Sequence, residues 1–230
     1  MDLNSIIEFD QRATLALNGS DSLFWDNVMY TVTNTFSWSL LIVALLIILY
    51  RNNDIRNFLL ILISLAILIL VADRLCSGIV KPTVARWRPT QDPQIMYMVD
   101  VVNGYRGGRY GFFSGHACNT FCVATFLAWL FRYRRITFVL YFWAATTTFT
   151  RIYLGVHYLG DITVGLIVGC LLGWIIYNIY SLIHKKLQPS RRFSWQYTVT
   201  GYPKSDLNMF LAIVFFNYIC VILAAVAQGI

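Results

Sequence analysis

The chain has 230 residues, of which 58% are hydrophobic and only 13% charged, with a formal net charge of +7. A soluble domain carries about 25% charged residues. The composition therefore argues against a soluble enzyme, and the basic excess needs a source other than a polar surface.

In chain order, residues 1–24 come first. They mix Asp2, Glu8, Asp10 and Arg12 with Ile6, Ile7, Phe9, Leu15 and Leu17. That mixture predicts a helix lying at a membrane surface. No basic region followed by a small-residue cleavage site precedes it, so no signal peptide is expected. Six runs without Asp, Glu, Lys or Arg follow, at 27–50, 57–72, 110–131, 136–150, 162–183 and 207–230. A helix needs about 20 such residues to cross a bilayer core. The runs 57–72 and 136–150 are shorter and extend past Asp73/Arg74 and Arg151. The expected spans are therefore approximately 27–50, 57–78, 112–131, 136–154, 160–183 and 207–228. The fold class is all-α: one integral-membrane domain over 1–230, a six-helix transmembrane bundle with a surface-lying N-terminal helix. The five cysteines, Cys76, Cys118, Cys122, Cys170 and Cys220, are odd in number and lack metal-type spacing. They read as buried thiols.

Six spans put both termini and the loops near 73–109 and 151–161 on one side of the membrane. The other side holds Arg51, Arg56, Arg132, Arg134, Arg135, Lys185, Lys186, Arg191, Arg192 and Lys204 against Asp54 and Asp206. The positive-inside bias assigns that second side to the cytoplasm. The net charge is thus membrane topology, and nucleic acid is not an expected partner. The expected location is the inner (cytoplasmic) membrane, multi-pass, with the first side facing the periplasm.

The chemistry-bearing residues fall at the outer ends of spans. Lys81, Arg86 and Arg88 follow the second span. Ser114, Gly115 and His116 open the third. Arg151, His157 and Asp161 lie where the fourth turns into the fifth. Ionisable residues at or inside spans are costly and usually functional. Lys81, Arg88 and Arg151, each able on its own to snorkel to headgroups, together match a tetrahedral anion. The N–H groups of Ser114 and Gly115, at a helix start, add to such a clamp. His157 and Asp161, four apart, share a helix face. An acid on one ring nitrogen leaves the other free to attack. His116, from a separate span, is placed to protonate a leaving oxygen. A catalytic metal is not expected, because two histidines and one acid among three cations make a poor metal site. His184, beside Lys185, reads as interfacial.

These three groups resemble the signature of the type 2 phosphatidic acid phosphatase superfamily of membrane lipid phosphatases. Its first block, Lys-x6-Arg-Pro, is matched by Lys81 to Arg88-Pro89. Its second, Pro-Ser-Gly-His, is matched by Phe113-Ser114-Gly115-His116 with Phe for Pro. Its third, Ser-Arg-x5-His-x3-Asp, is matched by Thr150-Arg151, His157 and Asp161 with Thr for Ser. The resemblance implies a metal-independent phosphatase without a cofactor, acting through a phosphohistidine on His157. It implies His116 as acid, Asp161 as orienter, and Lys81, Arg88, Arg151, Ser114 and Gly115 as phosphate ligands.

The expected partner is a membrane lipid substrate, and nothing calls for an obligate protein partner. The loop 90–113, rich in glycine, reads as a mobile cap. Arg106 and Arg109 in it are candidates for a second phosphate, and Arg86, two residues from Arg88, for a further substrate contact. On those extra arginines an isoprenyl (undecaprenyl) diphosphate or a lipid A phosphate ranks ahead of phosphatidylglycerol phosphate. A lipid-to-lipid phosphotransferase with the same site is the alternative.

Overall fold

The computed structural model describes residues 2–187 and 195–227. Arg191 and Arg192 of the expected basic loop, and residue 228 at the end of the last expected span, lie outside the described residues. No strand occurs among the described residues, only isolated bridges at Trp87–Tyr110 and Tyr197–Pro203. The elements are helices α1 (Leu3–Leu17), α2 (Leu23–Thr33), α3 (Ser39–Arg51), α4 (Ile55–Asp73), α5 (Lys81–Val84), α6 (Gly115–Phe131), α7 (Arg134–Tyr153), α8 (Leu159–Leu187) and α9 (Lys204–Ala227), with short 3-10 turns between some of them.

Among the described residues, three helices are long and apolar enough to cross a membrane: Ile55–Val84, Leu159–Lys186 and Lys204–Ala227. A fourth results if the bent pair α2–α3 counts as one span. Their outward faces carry Ile63, Ile67, Leu70, Leu171, Trp174, Phe215 and Leu223, all exposed. Water would not tolerate so broad an apolar belt on a monomer, whereas lipid solvates it. Inward, large apolar residues such as Ile61, Leu68, Phe126 and Phe131 pack together with small and hydroxylated ones such as Ser64 and Ala72.

The uncharged run 27–50 is not one straight helix. It bends by 73° between Leu23–Thr33 and Thr35–Arg51. Asn34 Oδ1 accepts the Phe36 N–H at 3.0 Å, a local cap that competes with helix continuation. The carbonyls freed by the break are taken up by side chains: Ser37 Oγ donates to Thr31 O at 2.7 Å and Trp38 Nε1 to Val32 O at 2.9 Å. The second run extends further than its sequence suggests. After α4 the backbone widens into a π-helical segment, Arg74–Val80, and continues into α5. Lys81 therefore sits on this long helix and not after it.

Helix α6 is the centre of the bundle, with twelve of its seventeen residues buried. Ser114 caps it, accepting the Ala117 N–H at 3.4 Å. Helix α8 lies against it unusually closely. A Cβ added at Gly165, Gly169 or Gly173 would come within 2.6, 2.5 and 2.5 Å of the carbonyl oxygens of Ser114, Cys118 and Cys122. This four-residue glycine spacing is the small-residue contact that lets membrane helices approach backbone to backbone. It sets the distance between the segment bearing Ser114–His116 and the one bearing Asp161.

Helix α1 packs on the start of α8 at the site end of the bundle. Thr14 Oγ1 accepts the Leu159 N–H at 3.0 Å and Asp10 Oδ1 accepts the Gly160 N–H at 2.8 Å. These are orphan donors of the first turn of α8, so α1 acts as its N-terminal cap. The exposed Ile6 and Phe9 lie on its outer face.

Candidate active site

The turn from α7 into α8 is built around Arg151. Its carbonyl accepts the N–H groups of Val156 and His157 at 3.1 and 3.2 Å. Gly155 makes the reversal with φ of 64°, a value that disfavours other side chains. His157 thus precedes the helix, and Asp161 folds back from its first turn. Asp161 Oδ2 lies 3.3 Å from His157 Nδ1 and accepts the Tyr158 N–H at 3.1 Å. Both side chains are buried. The pairing expected from the four-residue spacing is present, but across a helix start and not along a helix face.

The other ring nitrogen of His157 faces a cation. Arg88 Nη1 lies 3.3 Å from His157 Nε2 and donates to Val156 O at 3.1 Å, while Arg88 Nε donates to Tyr110 O at 3.2 Å. Burial pushes the His157 imidazole well below its ordinary range, and Arg88, Arg151 and Lys81 act in the same direction. Both effects favour the neutral form of the ring. Gly111 makes this packing possible. A Cβ there would stand 2.8 Å from Asp161 Oδ2 and 3.6 Å from His157 Nδ1.

Arg151 is buried and reaches across the bundle, donating to Thr33 Oγ1 at 2.6 Å and to Tyr105 Oη at 2.9 Å. Thr33 is available because α2 ends at that residue, at the bend. Arg151 Nε is buried without a partner among the described residues. Lys81 lies beside Gly115: a Cβ there would stand 3.8 Å from Lys81 Nζ, an ordinary contact. Ser114 N–H is already used, donating to Asp161 O at 3.0 Å, which ties the start of α6 to α8. His116, on the first turn of α6, lines a cavity walled mainly by apolar residues of α3, α4, α6 and α7. The three sequence blocks thus converge on one end of the bundle.

The remaining expected substrate ligands are engaged elsewhere. Arg86 Nη1 donates to Asp161 Oδ1 at 3.0 Å and Nη2 to Asp10 Oδ2 at 2.7 Å, with its guanidinium 4.0 Å from the Tyr158 ring centre. Arg106 Nη1 donates to Thr90 O at 3.0 Å, and its own carbonyl accepts from Thr90 Oγ1 at 2.9 Å. Arg109 lies over Trp87 and Tyr110, at 4.7 and 5.2 Å from the ring centres. The loop 90–113 is pinned by these bonds, by Asn18 to Asp100, and by Gln11 to Gln94.

Four partners of the site escaped the sequence reading: Asp10, Thr14, Thr33 and Tyr105. Asp10 left a trace, an acid in the half-apolar stretch 1–24, where Arg12 pairs with Glu8 instead. Among the described residues no three His, Cys, Asp or Glu side chains form a group suited to a metal.

The sequence model of the PAP2 superfamily matches residues 58–185, more than half of the chain, and that stretch runs from before Lys81 to beyond Asp161. The chain belongs to the PAP2 superfamily. Curated relatives agree. The lipid A 4'-phosphatase of Bacteroides thetaiotaomicron is 38% identical over 182 residues, 79% of this chain and 81% of that one. The lipid A 4'-phosphatase of Porphyromonas gingivalis is 34% identical over 175 residues, covering 76% and 74%. In fold, the chain is similar to the crystal structure of a transmembrane PAP2-type phosphatidylglycerolphosphate phosphatase from Bacillus subtilis. The TM-score is 0.59 at 21% identity, over 82% of this chain and 90% of the other.

In this PAP2 member, then, the family's spacing has a physical cause. Lys81 and Arg88 come from opposite ends of the α5 turn and its extended continuation. Ser114 and Asp161 are joined by a backbone bond, and Arg151 and His157 by the turn between α7 and α8. Three separate chain segments each supply a cation or a helix start to the space around His157 Nε2.

Proposed function

We propose that this PAP2 member is a membrane lipid phosphatase that removes the 4'-phosphate of a lipid A-type molecule through a phosphohistidine on His157. The observation that carries it is the polarised imidazole: Nδ1 at 3.3 Å from Asp161 Oδ2 and Nε2 at 3.3 Å from Arg88 Nη1. The phosphate takes its place among Arg88, Arg151, Lys81 and the start of α6 at Ser114–Gly115, where cations and a helix N-terminus stabilise the spread negative charge. His157 Nε2 attacks phosphorus, the bond from phosphorus to the lipid oxygen breaks, and His116 gives that oxygen its proton. Water then attacks the phosphohistidine and loses a proton to His116. The phosphorus–nitrogen bond breaks and inorganic phosphate leaves. No metal or cofactor enters these steps.

A monoester fits better than a diphosphate. Arg106 and Arg109, the arginines that would hold a second phosphate, are bonded to Thr90 and stacked on Trp87 and Tyr110. The curated relatives, both named lipid A 4'-phosphatase, support the same choice.

The whole chain, 1–230, works in this reading as one membrane domain with six crossings. Helix α6, of 17 residues, and α7, of 20, complete the set. At 1.5 Å per residue they are about 25 and 30 Å long, near the thickness of a bilayer core. The exposed apolar side of α1 lies on the membrane surface. Arg51, Arg56, Arg132, Arg134, Arg135, Lys185 and Lys186 at the far end of the bundle favour a cytoplasmic location for that end. The site then faces the periplasm from the inner membrane.

The test is phosphate release from lipid A by the purified protein in detergent with EDTA. Wild type is expected to release phosphate and His157→Ala to lose at least about a thousandfold in kcat, the scale of losing a nucleophile. Acid-labile labelling of wild type by a radiolabelled substrate phosphate, absent in His157→Ala, identifies the intermediate. Activity that survives in His157→Ala refutes the mechanism.

A further inference from the structure

The arginines around His157 are held in two different ways. Arg86 lies between two carboxylates, with Nη1 3.0 Å from Asp161 Oδ1 and Nη2 2.7 Å from Asp10 Oδ2. Among the described residues, Arg88 and Arg151 have no carboxylate within bonding distance. Arg88 is bonded to the carbonyls of Val156 and Tyr110, and Arg151 to the hydroxyls of Thr33 and Tyr105. Neutral oxygens accept a hydrogen bond without cancelling the charge of the donor, whereas a carboxylate does cancel it.

This second arrangement has a cost. Arg88 and Arg151 are both buried. Burial and the charge of Arg151 hold Arg88 below its ordinary range. Two like charges kept in a poorly solvated place, with no acid beside either, are unfavourable until an anion joins them. Their positive charge is therefore left available to an anion, and that of Arg86 is not.

Arg151 is also fixed in orientation. Nη1 donates to Thr33 Oγ1 at 2.6 Å and Nη2 to Tyr105 Oη at 2.9 Å. The Tyr105 ring centre is 5.3 Å from Arg151 Cζ. Bonds at both terminal nitrogens set the plane of the guanidinium as well as its place. Each terminal nitrogen carries two N–H groups, so one on each is left over. The two holders are supported in turn. Tyr30, three residues before Thr33 on α2, meets the Tyr105 ring nearly at right angles, with centres 6.3 Å apart. Tyr105 also packs on the buried cluster of Val102, Tyr153, Leu154 and Val156. Neither Thr33 nor Tyr105 belongs to the three sequence blocks.

We infer that Thr33 and Tyr105 are positioning residues of the phosphate site, acting through Arg151: they fix its guanidinium while leaving its charge whole for the anion. The inference rests on the lipid phosphatase reading and adds to it the residues that prepare the clamp. It also gives a role to the bend after α2, which ends that helix with the Thr33 hydroxyl on Arg151. A strut that merely tied α2 and the loop 90–113 to α7 would be served as well, or better, by an acid at position 33.

The experiment measures the affinity of the purified full-length protein in detergent for orthovanadate, a phosphate analogue, by calorimetry, with thermal melts on the same samples. Thr33→Val and Tyr105→Phe, each removing a hydroxyl and keeping shape, are expected to weaken binding by roughly five- to tenfold, the scale of one hydrogen bond. Thr33→Ser should recover most of that loss. In an Arg151→Gln background the same two changes should cost less than about twofold further. Thr33→Asn and Thr33→Asp differ only in charge, and Asp is expected to bind at least about tenfold more weakly than Asn because it neutralises Arg151. Equal affinity in the Asn and Asp variants overturns the inference and makes the contact a strut. A full loss that persists in Arg151→Gln overturns it too, by placing the hydroxyls on the anion themselves. The Asn and Asp pair decides even where Thr33→Val folds poorly. Wild type that binds orthovanadate while both hydroxyl variants bind it equally well removes only this inference. Wild type that does not bind it removes the phosphate site and the inference together.

Discussion

Arg86 should act on catalysis through Asp161 without touching the substrate. Its two guanidinium nitrogens join Asp161 to Asp10 at 3.0 and 2.7 Å. The Asp161 side chain is fully buried, while that of Arg86 is 25% exposed. Arg86→Gln removes a charge-assisted bond worth about 1.5–3 kcal/mol. Losing a fully buried ion-pair partner costs about 3–5 kcal/mol, and the partial exposure of Arg86 lowers that. Asp161 keeps His157 and the Tyr158 N–H, so the change is loss of orientation and not collapse. About 2–3 kcal/mol at the transition state corresponds to a kcat lower by roughly 30- to 150-fold, with KM little changed. Asp10→Asn leaves the Arg86–Asp161 bond in place and is expected to cost only about fivefold, the scale of a weakened single hydrogen bond. Arg86→Lys should recover part of the loss, since one ammonium cannot serve both carboxylates in the geometry of the fork. Steady-state kinetics on lipid A, with thermal melts in the same detergent, measure all three. A rise in KM with kcat intact in Arg86→Gln would make Arg86 a substrate ligand and refute the reasoning.

Further outcomes follow from the same geometry. Burial and the surrounding cations depress the His157 imidazole, so the acid limb of kcat/KM lies below the ordinary histidine value of about 6.5. Arg88→Gln removes a cation that opposes protonation, so that limb moves to higher pH. The substrate's own ionisation is common to both profiles, and an unmoved or lowered limb contradicts the assignment. Gly169→Ala puts a methyl 2.5 Å from Cys118 O, against backbone that cannot turn aside. Such overpacking costs about 1–3 kcal/mol and should lower the melting temperature in detergent. Gly78→Ala, with nothing nearer than Arg74 Cδ at 4.0 Å, is the matched control. Finally, in a cysteine-free background, Tyr97→Cys should react with an impermeant maleimide from the periplasmic side and Tyr133→Cys should not. Tyr97 is 87% exposed in the loop at the site end. The opposite pattern inverts the orientation.

The cations and the His157–Asp161 pair were legible in the sequence because charges are rare in this chain and each one stands out against an apolar run. Spacing within a block is local information, and it survives into the structure. What was not legible arises from long-range contact. Asp10 meets Arg86 across 76 positions, and the N–H of Gly160 across 150. Arg86 therefore read as a substrate ligand when its neighbours were only Arg88 and Pro89. The bend before Ser39 was hidden for another reason. No glycine or proline marks it, and the cap comes from Asn34, one polar residue in a run read for charge alone. The widening over Arg74–Val80 carries Gly78 and is followed by Pro82, residues that signal a helix end in sequence, so Lys81 read as lying beyond its helix. The close contact of α6 with α8 was written in Gly165, Gly169 and Gly173, spaced by four.

The clamp of Asp10 on Arg86 and Gly160 also bears on how the protein comes into being. Asp10, Arg86 and Asp161 emerge from the ribosome in that order, the first and last separated by most of the chain. Helices inserted earlier can pair only Asp10 with Arg86, and α8 must enter the bilayer before its first turn finds the side chains of α1. A truncated or stalled chain that ends before α8 thus carries the cations but lacks Asp161, and the bridge from Asp10 through Arg86 cannot close. Under the proposed mechanism, hydrolytic competence then arrives only with the last partner of this bridge.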